Sequence, residues 1–309
     1  MIVTLTVNPA LDRNITVDRL AYEDRAYILD QYESAGGRGI NAANVIHSFG
    51  GDPLAILPSG GDSGRRLEEH LRRFGFRTVV VPIANAIRTN LTITDRHGLT
   101  VNLNEAGPNI SSSEVNKLEQ VIEQNLEGAQ WFLIAGSIPP GVPSDFYAKL
   151  IAMARRKKVK TLLDADGEVL REGIEAGPTV VSPNQQEAER LLNRALLTRS
   201  HFLDAANRIR AMGPEAVVLS LGSRGAVGAF PGGMVEALAP RIDAVSPIGA
   251  GDALAAAFTW AMARKLSYEE ALRWGVATGT ASARLPGMRF ASLAQAQELI
   301  PRVEMRRAE

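Results

Sequence analysis

The stretch "SPIGAGDALAAAF", Ser246 to Phe258, sets two glycines around an alanine, follows them with one carboxylate, and then turns apolar and alanine-rich. The apolar run predicts a buried core helix, and Asp252 falls where a flexible loop hands over to it. An aspartate in that place has two readings. It can cap the helix, accepting hydrogen bonds from free backbone amides at the positive end of the dipole. It can also be held there for chemistry, with the same amides turned toward an anionic ligand.

Working outward from this helix, strand-like and helix-like segments alternate along most of the chain. "MIVTLTV" is β-branched, and "GINAANVIHSFG" carries Ile40, Ala43 and Ile46 to one side with Gly50 as a stop. "LAILPSGG" precedes the helical "GRRLEEHLRRFG", and Ser111 and Glu114 stand at capping-box spacing. Further pairs follow through "WFLIAGS", "KTLLDAD" and "AVVLSLG". Repeated βα units imply a parallel sheet with helices on both faces. Two regions, roughly 14–33 and 87–104, instead alternate like half-exposed strands, the second around an "RHG" turn. They predict a small β lid inserted into one α/β body spanning 1–309, a surface that also suits an oligomer interface. After Gly225, "AVGAF" and "MVEALAP" predict antiparallel edge strands ahead of the final helices.

Composition removes several function classes. Lys plus Arg and Asp plus Glu both number 34, so the basic excess of a nucleic-acid binder is absent. With no cysteine, disulfides, thiolate zinc sites and cysteine nucleophiles are impossible, and a reducing, cytoplasmic setting is expected. The four histidines lie far apart, so any metal is expected to be a hard cation held by oxygen. The opening "MIVTLTVNPALDRNITV" lacks a basic start, and "ALAAAFTWAMA" is too short for a bilayer, so neither a secretion signal nor a membrane partner is expected.

No GxxxxGK[ST] occurs, and Leu254 spoils the dinucleotide pattern that "GAGDAL" begins. Other clusters remain. "SAGGRGINAAN" brings Gly36, Gly37, Arg38 and Asn41 to a helix start, which reads as a tight turn or as an anion grip. "SPNQQEAER" puts Asn184 and Glu187 on one helical face, as plain caps or as partners of a hydrated magnesium. "VVLSLGSRGAVG" is a strand, a glycine turn and a strand. Together with "TLTVNPALD" and "GSIPPGV", these clusters all fall at expected strand ends or helix starts. In an open α/β sheet that makes them neighbours around one cleft.

In that order the motifs resemble the ribokinase/PfkB superfamily of carbohydrate kinases, over essentially the whole chain. "GAGD" combined with the early "GG-basic-GIN" block carries the likeness, while "NPALD" and "GSIPPG" point to the branch holding 1-phosphofructokinase, tagatose-6-phosphate kinase and the minor 6-phosphofructokinase. The resemblance implies a ribokinase-like three-layer α/β/α fold with a mostly parallel central sheet and a small β-strand lid. It implies Asp252 as catalytic base, with the amides of Gly249, Ala250 and Gly251 around the transferred phosphoryl group. Asp12, Gly36, Gly37 and Asn41 would contact the sugar, and Arg38, Arg88 and Ser137 the phosphate already on it. Ser220, Gly222, Gly225 and Asn184 would serve ATP, and Glu187 with Asn184 would hold Mg2+ through water. A homodimer through the lid strands is a further implication.

Three positions depart from the family pattern: Arg38 replaces a lysine, Ala253 a serine, and "DADG" (Asp164–Gly167) a Ser- or Thr-bearing version. The expected reaction is phosphorylation of fructose 1-phosphate to fructose 1,6-bisphosphate, with tagatose 6-phosphate and fructose 6-phosphate as alternative acceptors. A kinase of unphosphorylated sugars or nucleosides is disfavoured, because Arg38 and Arg88 would lack a partner in the sugar pocket. A non-catalytic sensor is disfavoured by the presence of Asp252, Asn184 and Glu187 together.

Overall fold

A computed structural model describes residues 1–21 and 23–308. The first half of the chain forms β1 (Ile2–Thr6), β2 (Ala10–Val17), β3 (Ile28–Gly36), α1 (Arg38–Ser48), β4 (Pro53–Ser59), α2 (Gly61–Phe74), β5 (Arg77–Pro82), β6 (Arg88–Asp95), β7 (Thr100–Asn104), α3 (Ser112–Asn125), β8 (Trp131–Ala135) and α4 (Phe146–Arg156). The second forms β9 (Lys160–Asp164), α5 (Gly167–Glu175), β10 (Val180–Val181), α6 (Gln185–Leu192), α7 (Arg199–Ala211), β11 (Ala216–Ser220), β12 (Ala226–Phe230), β13 (Gly233–Leu238), α8 (Ala250–Ala263), α9 (Tyr268–Ser282), α10 (Leu293–Leu299) and β14 (Glu304–Ala308).

Ten strands make the main sheet in the order β14-β13-β12-β11-β10-β9-β8-β1-β4-β5. From β11 to β5 every pairing is parallel, and β12, β13 and β14 add an antiparallel edge. The parallel strands bury both faces, which is why they read as continuous apolar runs. Phe132 and Ile134 of β8 join the core under α2 to α7, while Trp131, Leu133 and Ala135 join the core under α1, α8, α9 and α10. Helix α8 is buried from Ala253 to Ala261. Its alanines, with Gly275 and Gly279 of α9, let the two helices approach closely; a Cβ on Gly279 would lie 2.8 Å from the Ala250 carbonyl oxygen.

A separate sheet, β3-β2-β6-β7, forms the lid. It is longer than the alternation pattern indicates: β2 starts at Ala10, not near 14, and β3 runs on to Gly36. The polar-apolar alternation begins only after Asp12, because the first residues of β2 are buried at the junction with the body. The lid therefore carries Asp12 and Gly36 on its inner end. The C-terminal strand β14 is absent from the sequence reading. Its "EMRRA" lacks a strand-like apolar pattern, as suits an exposed, charged edge. Among the described residues no helix is long and apolar enough to cross a membrane.

Candidate active site

Two cavities open at the carboxyl ends of the parallel strands. The first, about 530 Å³, lies between the body and the lid; the second, about 870 Å³, lies between the β11–β12 turn, the 239–247 segment and α9. Asn184, Ser220 and Gly251 border both, so the cavities meet at the amino end of α8.

On the first cavity, Asp12 of β2 is buried and takes a hydrogen bond from Asn90 Nδ2 at 2.9 Å. Burial raises its pKa, against the pull of Asn90 and of the Arg88 charge. Gly36, across the β2–β3 pairing, has to be glycine: a Cβ there would lie 2.0 Å from Asp12 Oδ2. Gly37 follows with φ at 128° and caps α1 without a side chain. Asn41, one turn into α1, is buried and donates through Nδ2 to Asp252 Oδ2 at 2.7 Å. The bond fixes the aspartate's rotamer and leaves its other oxygen free. Asp12, Arg38 and Asp252 line the same cavity.

Asp252 is in the first turn of α8 and half-buried. Burial, and then the nearby Asp164 carboxylate, push its pKa up to about 7, while Arg38 and the Asn41 bond oppose the shift. The helix start also differs in detail from the expected amide cradle. The Ala250 N–H is engaged by the Pro247 carbonyl at 3.2 Å, whereas the amides of Gly251 and Asp252 have no protein acceptor among the described residues. Those two, with Gly249 at φ 77° turning the chain into the helix, leave N–H groups at the end of α8 where the two cavities meet.

Arg38 lines the cavity but does not stand free as a phosphate grip. Its Nη1 donates to Asp164 Oδ1 at 2.7 Å and its Nη2 to Glu187 Oε1 at 3.0 Å. The Asp164 carboxylate above all, and then Glu187, hold it firmly protonated. Asp164 ends β9 and Glu187 is in the first turn of α6, so the guanidinium ties three elements together under Asp252. Asn184 and Glu187 form a full capping box: Asn184 Oδ1 accepts from the Glu187 amide at 2.9 Å, and Glu187 Oε2 from the Asn184 amide at 2.8 Å. Burial and Asp164 raise the Glu187 pKa. The capping reading of "NQQE" therefore holds, and the second Glu187 oxygen faces Arg38 on the cavity wall.

Among the described residues lining this cavity, the cation without a carboxylate partner is Arg88, at the start of β6. Its Nε and Nη2 donate to the Asn8 carbonyl at 3.2 and 2.9 Å, and its Nη1 to the Glu105 carbonyl at 3.2 Å. It forms no ion pair with a carboxylate among the described residues, and burial lowers its pKa. Two of its five N–H groups are left for a ligand. Ser137, beyond β8, opens onto the same cavity and accepts from Asn8 Nδ2 at 3.2 Å.

Ser220, Gly222 and Gly225 line the second cavity. Gly225, at φ 98°, is required because a Cβ would lie 1.9 Å from the Ala237 carbonyl oxygen. The remaining wall was not foreseen: the 239–247 segment and the α9 residues Val276, Gly279 and Thr280. The small residues at 275 and 279, one turn apart, are the only trace of it in the sequence. Asp164, Asn90 and Asn8 were likewise not singled out as site residues, although Asp164 opens "DADG" and Asn8 opens "NPALD"; Asn90 lies within β6, where a polar residue reads as ordinary alternation.

The chain is also similar to known proteins over nearly its whole length. The description "pfkB family carbohydrate kinase" matches residues 6–295. The chain is 32% identical to the ATP-dependent 6-phosphofructokinase isozyme 2 of Escherichia coli K12, covering 96% of this chain and 97% of that one. It is 31% identical to the 1-phosphofructokinase of Borreliella burgdorferi B31, covering 92% of each. The structure of Escherichia coli phosphofructokinase-2 in complex with substrates and products superposes with a TM-score of 0.92 at 31% identity, over 98% of this chain and 99% of that one. The chain belongs to the pfkB family of carbohydrate kinases and is a sugar-phosphate kinase.

Proposed function

We propose that this kinase transfers the terminal phosphoryl group of ATP to fructose 1-phosphate, giving fructose 1,6-bisphosphate. The observation that carries this reading is the junction of the two cavities at Gly251, with Asp252 on the sugar side and free amides on the helix end. The ketohexose phosphate occupies the first cavity, its hydroxyls on Asp12 and Asn41 and its phosphoester on Arg88 and Ser137. ATP occupies the second, along Ser220, Gly222 and Gly225. Asp252, ionised and fixed by Asn41, takes the proton of the attacking hydroxyl. The amides of Gly251 and Asp252 meet the charge on the moving phosphoryl group, whose loose transition state depends more on positioning and charge stabilisation than on a strong base.

The donor set fits a hydrated divalent cation. Three carboxylates, Asp164, Glu187 and Asp252, share one guanidinium, so ionised they leave an excess of negative charge. No group of three His, Cys, Asp or Glu side chains chelates a metal directly among the described residues. Mg2+ would thus be held through water by Glu187 and Asn184, with Asp164 beside them. When bound it neutralises phosphate charge. Arg38 keeps Asp164 and Glu187 in register for that role and does not serve the sugar phosphate.

Fructose 6-phosphate is a second reading, favoured by the 32% identity to a 6-phosphofructokinase. ADP release with fructose 1-phosphate, fructose 6-phosphate, tagatose 6-phosphate and fructose decides it. The highest kcat/KM is expected with fructose 1-phosphate, and preference for fructose would overturn the assignment of Arg88. We also propose a homodimer through the lid in the cytoplasm. Ile28, Leu29, Leu99, Val101 and Leu103 expose an apolar lid face of the kind that pairs with a second copy. Sedimentation of a Leu103→Asp variant as a monomer is expected; an unchanged dimer would place the interface elsewhere.

A further inference from the structure

Asn8 lies between β1 and β2, 2% exposed, on the wall of the sugar cavity. Its main-chain carbonyl accepts two N–H groups of Arg88. Its side-chain amide donates to the Ala106 carbonyl at 2.9 Å and to Ser137 Oγ at 3.2 Å. The Ala106 contact fixes the orientation of the carboxamide, since a carbonyl can only accept. The same NH2 group therefore gives its second proton to Ser137. Occupying a lone pair of the serine in this way leaves the serine's own hydroxyl proton unused. The carboxamide oxygen is buried without a partner among the described residues, packed where a Cβ on Gly107 would come within 2.3 Å of it. A polar side chain kept here at that cost is poorly explained by packing alone.

We propose that Asn8 is the positioning residue of the phosphate end: it anchors Arg88 through its carbonyl and turns Ser137 into a hydrogen-bond donor, so that both converge on the phosphoester already carried by the substrate. The inference rests on the sugar-phosphate reading above and adds to it the residue that sets the polarity of the grip.

A double-mutant cycle on the whole enzyme tests it. Asn8→Ala and Ser137→Ala are each expected to raise KM for fructose 1-phosphate about tenfold, leaving KM for ATP in place. The double variant is expected to show no further loss, because the asparagine side chain acts through the serine. Asn8→Asp keeps the shape and reverses the bond: the carboxylate takes the serine proton, so KM rises although the packing is retained. This second variant keeps the proposal testable should Asn8→Ala fold poorly. Additive losses in the cycle, or an Asn8→Asp enzyme with normal KM, overturn the proposal while wild-type turnover of the sugar phosphate leaves the broader reading standing. A wild-type enzyme that prefers fructose overturns both.

Discussion

The two halves of the cleft differ in their materials. The sugar side is made of side chains: Asp12, Asn41, Arg88, Asp164, Glu187 and Asp252 are charged or polar groups held by named hydrogen bonds. The side we assign to the nucleotide relies more on glycines, Gly222, Gly225, Gly251 and Gly279 among its walls, with Arg241, Ile242 and Asp243 of the 239–247 segment closing it. A charged, hydroxyl-rich sugar ester is told from its analogues by where donors and acceptors stand, so its site needs fixed side chains. A planar base and a chain of phosphates are received largely by shape and by amides, so their site can rely on glycines where the chain must approach closely. The contrast teaches that single substitutions act mostly on one side, and the sizes of their effects can break it.

The largest effect belongs to the point where the halves touch. Asp252→Asn is expected to lower kcat by about 10^3- to 10^4-fold with little change in either KM. The variant should melt no lower than wild type at pH 8. Folding raises the Asp252 pKa, so the stability tied to its proton is present in acid and lost as the pH rises through about 7, a loss the amide escapes. Turnover within tenfold of wild type would remove Asp252 from the chemistry. Next comes Arg88→Ala, expected to raise KM for the sugar phosphate on the order of 100-fold, as befits a lost charge-assisted grip, with KM for ATP unmoved. Equal shifts in both constants would dissolve the division between the two sides.

The same contrast governs what could be read from the sequence. A carboxylate next to glycines at a helix start stands out, so Asp252 could be singled out from the residues themselves, as could Asn41 beside its glycines and the "NQQE" pair at capping spacing; Asp12, inside a strand, was reached only through the family resemblance. The parallel strands were legible too, because their unbroken apolar runs follow from burial on both faces. Arg38 was legible as a site residue but not in its partners. The charge of "GGRG" is visible in the chain, whereas the two carboxylates that absorb it come from positions 164 and 187 and meet only in the fold. The α9 part of the second cavity's wall left almost no trace, because glycine and alanine on a helix face read as ordinary packing, whereas the "SLGSRGA" turn could be read. The edge strand β14 stayed hidden for a related reason: a charged, exposed edge has no apolar pattern to betray it.

A pH profile sharpens the sugar side further. As the proposed base, Asp252 would act only when ionised, so kcat/KM is expected to fall about tenfold per unit as the pH drops below about 7. The Asp164 charge is one of the forces holding that pKa up, so Asp164→Asn should move the acid limb to lower pH even as it lowers the plateau. A limb that stays in place would mean burial alone sets it.

The smallest effect is expected on the nucleotide side and tests the contrast from its weak end. Thr280 projects from α9 onto the second cavity and makes no side-chain hydrogen bond among the described residues. Thr280→Val, of nearly equal volume, removes only its hydroxyl, so KM for ATP should change by less than about threefold, the scale of one exposed neutral hydrogen bond. Gly279→Ala beside it adds a single methyl, yet its Cβ would lie 2.8 Å from the Ala250 carbonyl oxygen at the start of the catalytic helix. Overpacking there displaces α8, so this variant should lower kcat and the melting temperature more than Thr280→Val does. If deleting the hydroxyl proved worse than adding the methyl, ATP would be recognised by side-chain chemistry after all, and the two sides of the cleft would differ in degree only.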